Sequence, residues 1–179
     1  MLDNSIRAIW QLVNYLEDTQ KVGIENISQV ESYEQNSFMK LSYTTTSNLE
    51  LFETIRSKEK KGSLLWVLDH TKTAMGKRLM RNWVEQPLIN YSSIVLRQNA
   101  VEELTTDTIL LDSLMEYLSD MFDIERIMTR IVYGTANAKE LRTLSQTITQ
   151  LVNIKGSLQN IKSKMLVGIY DDIDQFKDR

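Results

Sequence analysis

The chain has 179 residues, a quarter of them charged, with a formal net charge of −3, no cysteine and a single histidine. That length builds one domain, or slightly more than one, with a core large enough to fold without staples. The missing cysteines exclude disulfides and thiolate chemistry and fit a reducing cytoplasm, while one histidine argues against zinc. No apolar run approaches the roughly 18 residues that span a bilayer, and the N-terminus lacks a signal peptide's layout, so a soluble protein is expected. The acidic balance lacks the basic excess of an autonomous DNA-gripping surface.

Ile6, Ile9, Trp10, Val13 and Leu16 recur at three- and four-residue intervals and predict an amphipathic helix over about residues 4–20, ending before Gly23. A polar stretch with Asn26, Ser28, Glu31 and Ser32 comes next. In SFMKLSY, Met39, Leu41 and Tyr43 alternate with Phe38, Lys40 and Ser42, the period-two signal of a half-buried strand near residues 37–43 and the only β-like part of the chain. Thr44 to Ser47 are placed to cap the next element, and Leu49, Phe52 and Ile55 predict a short helical or mixed segment. In RSKEKKG, residues 56–62, five of seven residues are charged and one of those is acidic. Such a field is local and screened within about 10 Å, so the run reads as a solvated loop before a nucleic-acid patch. Leu64, Leu65 and Leu68 then start a buried helical turn.

The next stretch, LDHTKTAMGKRLMRNWVEQPL over residues 68–88, holds the most information. Thr73 is placed as an N-cap. Met75, Leu79 and Trp83, at four-residue steps, predict the buried stripe of a helix, with Lys77, Arg78 and Arg81 towards its opposite side. Gly76 costs about 1 kcal/mol relative to alanine inside a helix, which predicts close approach of another backbone. Pro87, lacking an amide hydrogen, halts the helix.

From Asn90 the pattern is helical throughout. Ile94, Arg97, Val101 and Leu104 mark one helix, Leu110, Leu111, Leu114 and Leu118 a second, and Phe122, Ile124, Ile127 and Ile131 a third that ends at Gly134. Asn137 followed by Glu140 resembles a capping box and opens a helix striped by Leu141, Leu144, Ile148, Leu151 and Val152. A break at Lys155, Gly156 and Ser157 precedes Leu158, Ile161, Met165, Ile169, Ile173 and Phe176. The fold class is thus mainly α, a multi-helix assembly with a small β element.

Catalytic chemistry is missing from this pattern. The KGS triplets at 61–63 and 155–157 lack the upstream glycine and preceding strand of a phosphate-binding loop. Asp171, Asp172 and Asp174 do not converge on a cation from one helix. His70 beside Asp69 has no nucleophile or metal partner indicated, and a capping or surface role suits it better. No catalytic, cofactor-binding or metal-ligating residue is assigned.

GSLLWVLDHTKTAMGKRLMRNWVEQPL strongly resembles the core domain of the MutS family of DNA mismatch-recognition ATPases. So do NLELFETIRSKEKKG before it, LRQNAVEEL and DIERIMTRIVYGTANAKELRTL after it, and NYLEDTQK, which resembles that domain's first helix. The resemblance covers about residues 8–155 in the expected order and weakens beyond Lys155. Ile9-Trp10-Gln11 departs from it, being bulkier than the family's small-residue run. It implies a core segment over residues 1–155 and, over 156–179, lever helices continuing towards a DNA-gripping clamp that lies outside this sequence. It also implies an ATPase domain elsewhere in a longer chain that binds ATP and Mg, together with mismatched double-stranded DNA, MutL and a second copy of the full-length protein as partners. Within the motif it implies a packing and interdomain site made of Leu68, Asp69, Thr73, Met75, Gly76, Lys77, Arg78, Leu79, Arg81, Trp83, Gln86 and Pro87. There Gly76 permits close packing, Trp83 fills a hub, and Lys77, Arg78 and Arg81 either pair with neighbouring domains or are solvated. The segment itself is expected not to be an enzyme. Two other readings stand beside this one: the core of a specialised MutS homologue acting in recombination, and a free-standing helical interaction module.

Overall fold

The computed structural model describes residues 2–19 and 38–173, and the chain divides into two units, Met1–Gln35 and Asn36–Arg179. In the first unit, α1 (Leu2–Thr19) is the expected amphipathic helix. Val13 and Leu16 are half-buried, whereas Ile6, Trp10, Leu12 and Tyr15 are exposed. The polar stretch around Asn26 to Ser32 lies outside the described residues.

The second unit begins where a strand was expected. Only one antiparallel bridge forms among the described residues, Phe38 opposite Leu88, with the Met39 amide donating to the Pro87 carbonyl at 2.8 Å. The alternation stops because Ser42 acts as an N-cap. Its hydroxyl accepts from the Thr45 amide at 3.1 Å and starts α2 (Tyr43–Asn48). Thr44 to Ser47 therefore lie inside a helix instead of capping one. The segment beyond α2 is mixed, as expected, and turns back on itself. The Glu50 and Leu51 carbonyls accept from the Leu64 and Leu65 amides, so that buried Leu51 lies beside the start of α3 (Leu64–Leu68). Ser63, the serine of the first KGS triplet, is fully buried; it caps α3 at the Trp66 amide and donates to the Lys60 carbonyl. Within α3 only Leu65 is buried. Leu64 and Leu68 are exposed, contrary to the expected buried turn, because five residues present only one or two positions to a single neighbour.

The remaining helices are α4 (Ala74–Glu85), α5 (Tyr91–Thr106), α6 (Thr108–Ser119), α7 (Ile124–Val132), α8 (Ala138–Ser157) and α9 (Lys164–Asp172). Most of their starts obey one rule: a short polar side chain occupies the N-cap and accepts from an amide of the first turn, as Asn90, Asp107, Asp123 and Asn137 do. Asn137 and Glu140 complete the expected capping box. Gly134, at φ +66°, turns the chain out of α7. The break predicted at Lys155 to Ser157 comes later, at Leu158, the C-cap of α8. Helical geometry through the second KGS triplet puts Ile154 and Leu158 on one face, where both are buried.

Those two residues and Leu114 form the buried centre, closed by Leu104, Leu110, Tyr117, Leu118, Met121, Ile161, Tyr170 and Ile173. The centre lies where α6 packs on α8, with α5 against both α6 and α9. Of the stripe predicted along α8, Leu144, Ile148 and Leu151 are half-buried while Leu141 and Val152 face solvent. No helix among the described residues is long and apolar enough to cross a membrane.

Candidate functional site: a helix junction around Arg78

The approach to α4 is stiffened by its own polar side chains. Asp69 accepts from both the amide and the hydroxyl of Thr71, at 3.3 and 2.5 Å, and these bonds hold its carboxyl below the usual carboxylate range. Asp69 thus engages Thr71 and organises a turn. Thr73 then caps α4 as predicted, accepting from the Gly76 amide at 2.9 Å. A methyl group at Gly76 would lie 3.0 Å from the Thr73 hydroxyl oxygen and 3.3 Å from the Thr71 Cβ. Close approach is therefore present, but it comes from side chains of the preceding turn and not from another backbone. The helix ends at Glu85, with Gln86 as C-cap, one residue before Pro87.

The face of α4 differs from the expectation. No α4 residue is fully buried; Met75, Met80, Trp83 and Val84 are half-buried and Leu79 is 52% exposed. The contact stripe is rotated from Met75–Leu79–Trp83 towards Met80 and Val84. The Trp83 ring is covered by a cation, the Arg97 guanidinium of α5, 3.7 Å from its centroid. Burial in this stack lowers the Arg97 pKa. Arg81 lies 4.5 Å over the Phe52 ring, joining α4 to the segment before α3.

Arg78 makes the most specific contact of the predicted group. Its two terminal nitrogens meet both Asp123 carboxylate oxygens at 2.8 Å, and Nη2 also donates to Glu125 at 2.5 Å. The planar fork of arginine fits one carboxylate bidentately, which a lysine could not do. Asp123 is also the N-cap of α7, accepting from the Arg126 amide at 3.3 Å, and Glu125 occupies the first turn. Both carboxylates thus lie at the positive end of the α7 dipole while Arg78 offsets part of their charge. Asp123 is held well below its ordinary pKa, first by the Arg78 hydrogen bonds, and Arg78 is raised. Lys77, by contrast, points into solvent and adds only a distant field at Asp69.

The preceding residue is pinned from the other side. Thr147 of α8, fully buried, accepts from the Phe122 amide at 3.3 Å while donating to the Thr143 carbonyl at 3.0 Å. Phe122 and Asp123 are therefore fixed by α8 and α4 together. At the far end of α7, Arg130 pairs with Glu140 of the capping box at 2.5 Å. Asp123, Glu125, Arg97 and Thr147 were not identified as site residues from sequence, since their partners lie 14 to 47 positions away, as in the Phe122–Thr147 and Arg78–Glu125 pairs separated by 25 and 47.

Such an arrangement defines a class: a helical scaffold segment whose charged groups are used to join its own elements. Residues 44–175 match the family model described as MutS domain III. The chain is 47% identical over 167 residues to the DNA mismatch repair protein MutS of Clostridium perfringens, covering 93% of this chain and 18% of that protein. It is 42% identical over 176 residues to MutS of Ruminiclostridium cellulolyticum (98% of this chain, 20% of that protein) and 39% identical over 168 residues to MutS of Listeria monocytogenes (94% and 20%). The chain belongs to the MutS family, of which it represents the domain III segment, and it spans about a fifth of the length of these relatives.

Proposed function

We propose that this segment is the coupling element of a bacterial DNA mismatch repair protein, a rigid train of helices that conveys nucleotide state in an ATPase domain to a DNA-holding clamp. The observation that carries this reading is the Arg78 fork, which ties α4 to the N-terminus of α7. Through α7 the tie reaches α8, and through α8 and α6 the buried centre, so displacement of α4 reaches elements far along the chain without a soft joint. Residues 1–155 serve as the core and 156–179 continue the levers towards the clamp. Leu68, Lys77, Leu79 and Gln86, exposed beside the junction, face the neighbouring connector and ATPase domains. In this reading ATP and Mg bind only in the ATPase domain, the segment itself is not an enzyme, and the full-length protein works in the cytoplasm as a homodimer that engages mismatched double-stranded DNA and MutL. The relatives' shared name, DNA mismatch repair protein, favours this over a recombination-specific homologue or a free-standing module.

The test has two arms. The 179-residue chain, titrated against paired and G·T-mismatched duplexes at about 0.15 M salt and assayed for phosphate release, should show neither selectivity nor turnover. In the full-length protein, Arg78→Ala should leave mismatch binding in place but weaken the response of that binding to ATP. Selective binding by the segment alone, or an ATP response unchanged by Arg78→Ala, would overturn the proposal.

A further inference from the structure

Between α8 and α9 the chain leaves helical geometry at Leu158 and re-enters it at Lys164. Ser163 stands at the N-cap position, yet its side chain makes no capping bond. The two amides that lead into the helix, those of Lys162 and Ser163, are taken by a residue from a different helix. Glu103, in the last turn of α5, accepts from the Lys162 amide at 2.6 Å and from the Ser163 amide at 2.7 Å, one to each carboxylate oxygen. These two bonds span about sixty positions of sequence, and they hold Glu103 below the usual carboxylate range.

We infer that Glu103 is a latch that sets the angle of α9 against α5. Among the described residues, α9 is also held by contacts of a different kind. Leu166 is buried, Tyr170 and Ile173 lean on the buried centre, and the Lys155 ammonium lies 4.5 Å over the Tyr170 ring. Apolar and cation–ring contacts tolerate rotation, because neither fixes a direction. The paired amide bonds do fix one, since both oxygens must meet both N–H groups at once. Beside the latch lies an open cleft lined by Asn99, Glu102, Thr106 and Asn160, space into which the 159–163 turn can swing. With Glu103 engaged, α9 holds one orientation; with it released, α9 pivots on Leu166 and Tyr170 while the helix itself persists. The latch stands on this geometry alone, whatever the segment couples.

The absence of cysteine makes the test direct. Spin labels on Gln98→Cys in α5 and Gly168→Cys in α9 report the angle by pulsed dipolar spectroscopy. Both sites are exposed, and a side chain at Gly168 meets open space. The parent should give one narrow distance distribution and Glu103→Ala a broadened or two-peaked one. Glu103→Gln, which keeps the shape and one acceptor oxygen, should fall between them. Amide exchange should rise about tenfold or more at Lys162 and Ser163 but stay unchanged at Leu114 and Ile154, the signature of a local opening. An unchanged distribution in Glu103→Ala, or exchange that rises equally in every helix, would overturn the latch.

Discussion

Replacing Trp83 by alanine tests how α4 is held. A fully buried tryptophan removes about 150–250 Å² from water. Trp83 is half-buried, so about 100 Å² is at stake, worth about 2.5 kcal/mol at 25 cal/mol per Å². Residual compactness of the unfolded chain trims that to about 2 kcal/mol. The Arg97 guanidinium, 3.7 Å from the ring centroid and partly desolvated, adds about 0.5–1 kcal/mol of specific attraction. Trp83→Ala should therefore cost about 2.5–3 kcal/mol, less than the 3–5 kcal/mol typical of a wholly buried ring. Urea denaturation monitored by helical circular dichroism, on the parent, Trp83→Ala, Arg97→Ala and the double variant, separates the two contributions. The cycle should give a coupling of about 0.5–1 kcal/mol. A loss below about 1 kcal/mol for Trp83→Ala would mean that the ring is not packed as described, and a coupling of zero would remove the stack.

Gly76→Ala should melt below the parent, although it raises helix propensity by about 1 kcal/mol. The new methyl presses on Thr71, whose hydroxyl and amide are both tied to Asp69, and on the capping oxygen of Thr73. A higher melting temperature would show that this turn yields freely. Thr147→Val keeps the shape but removes the acceptor of the part-buried bond from the Phe122 amide, at a cost of about 1 kcal/mol by chemical denaturation, whereas Thr147→Ser should recover most of it. Equal losses in the two variants would refute the hydrogen-bond account. Asp123 is held below its ordinary value of 3.8, so it contributes stability above that value and loses it as pH falls through the lower folded value. Acid unfolding monitored by circular dichroism should thus begin at higher pH in Arg78→Met than in the parent, and coincident acid transitions would contradict the fork.

How far the sequence foretold this structure depended on range. Helices α1 and α4 to α9 were legible because each repeats apolar residues at three and four positions, and the caps at Thr73 and Asn137 because a cap is read within four residues. The strand expected near Met39 does not form, since its short alternation weighs less than the single hydroxyl of Ser42 that starts α2. At the junction, Arg78 stands out by its place in a recognisable motif, but Asp123 and Glu125 do not. An exposed ion pair across 45 or 47 positions leaves no period in either segment. The cover over Trp83 is likewise illegible from α4 alone, because it comes from Arg97 of α5, fourteen positions on.

The position of α9 also governs how the chain behaves when shortened. Ile161, Tyr170 and Ile173 complete the wall around Leu114, Ile154 and Leu158, so a chain ending before Asn160 would leave that wall open to water. Leu114, Ile154 and Leu158 would then lose part of their cover and present a sticky strip along α6 and α8. During synthesis the same strip is uncovered until α9 emerges, and a stall just after α8 would leave it available to chaperones or to other unfinished chains.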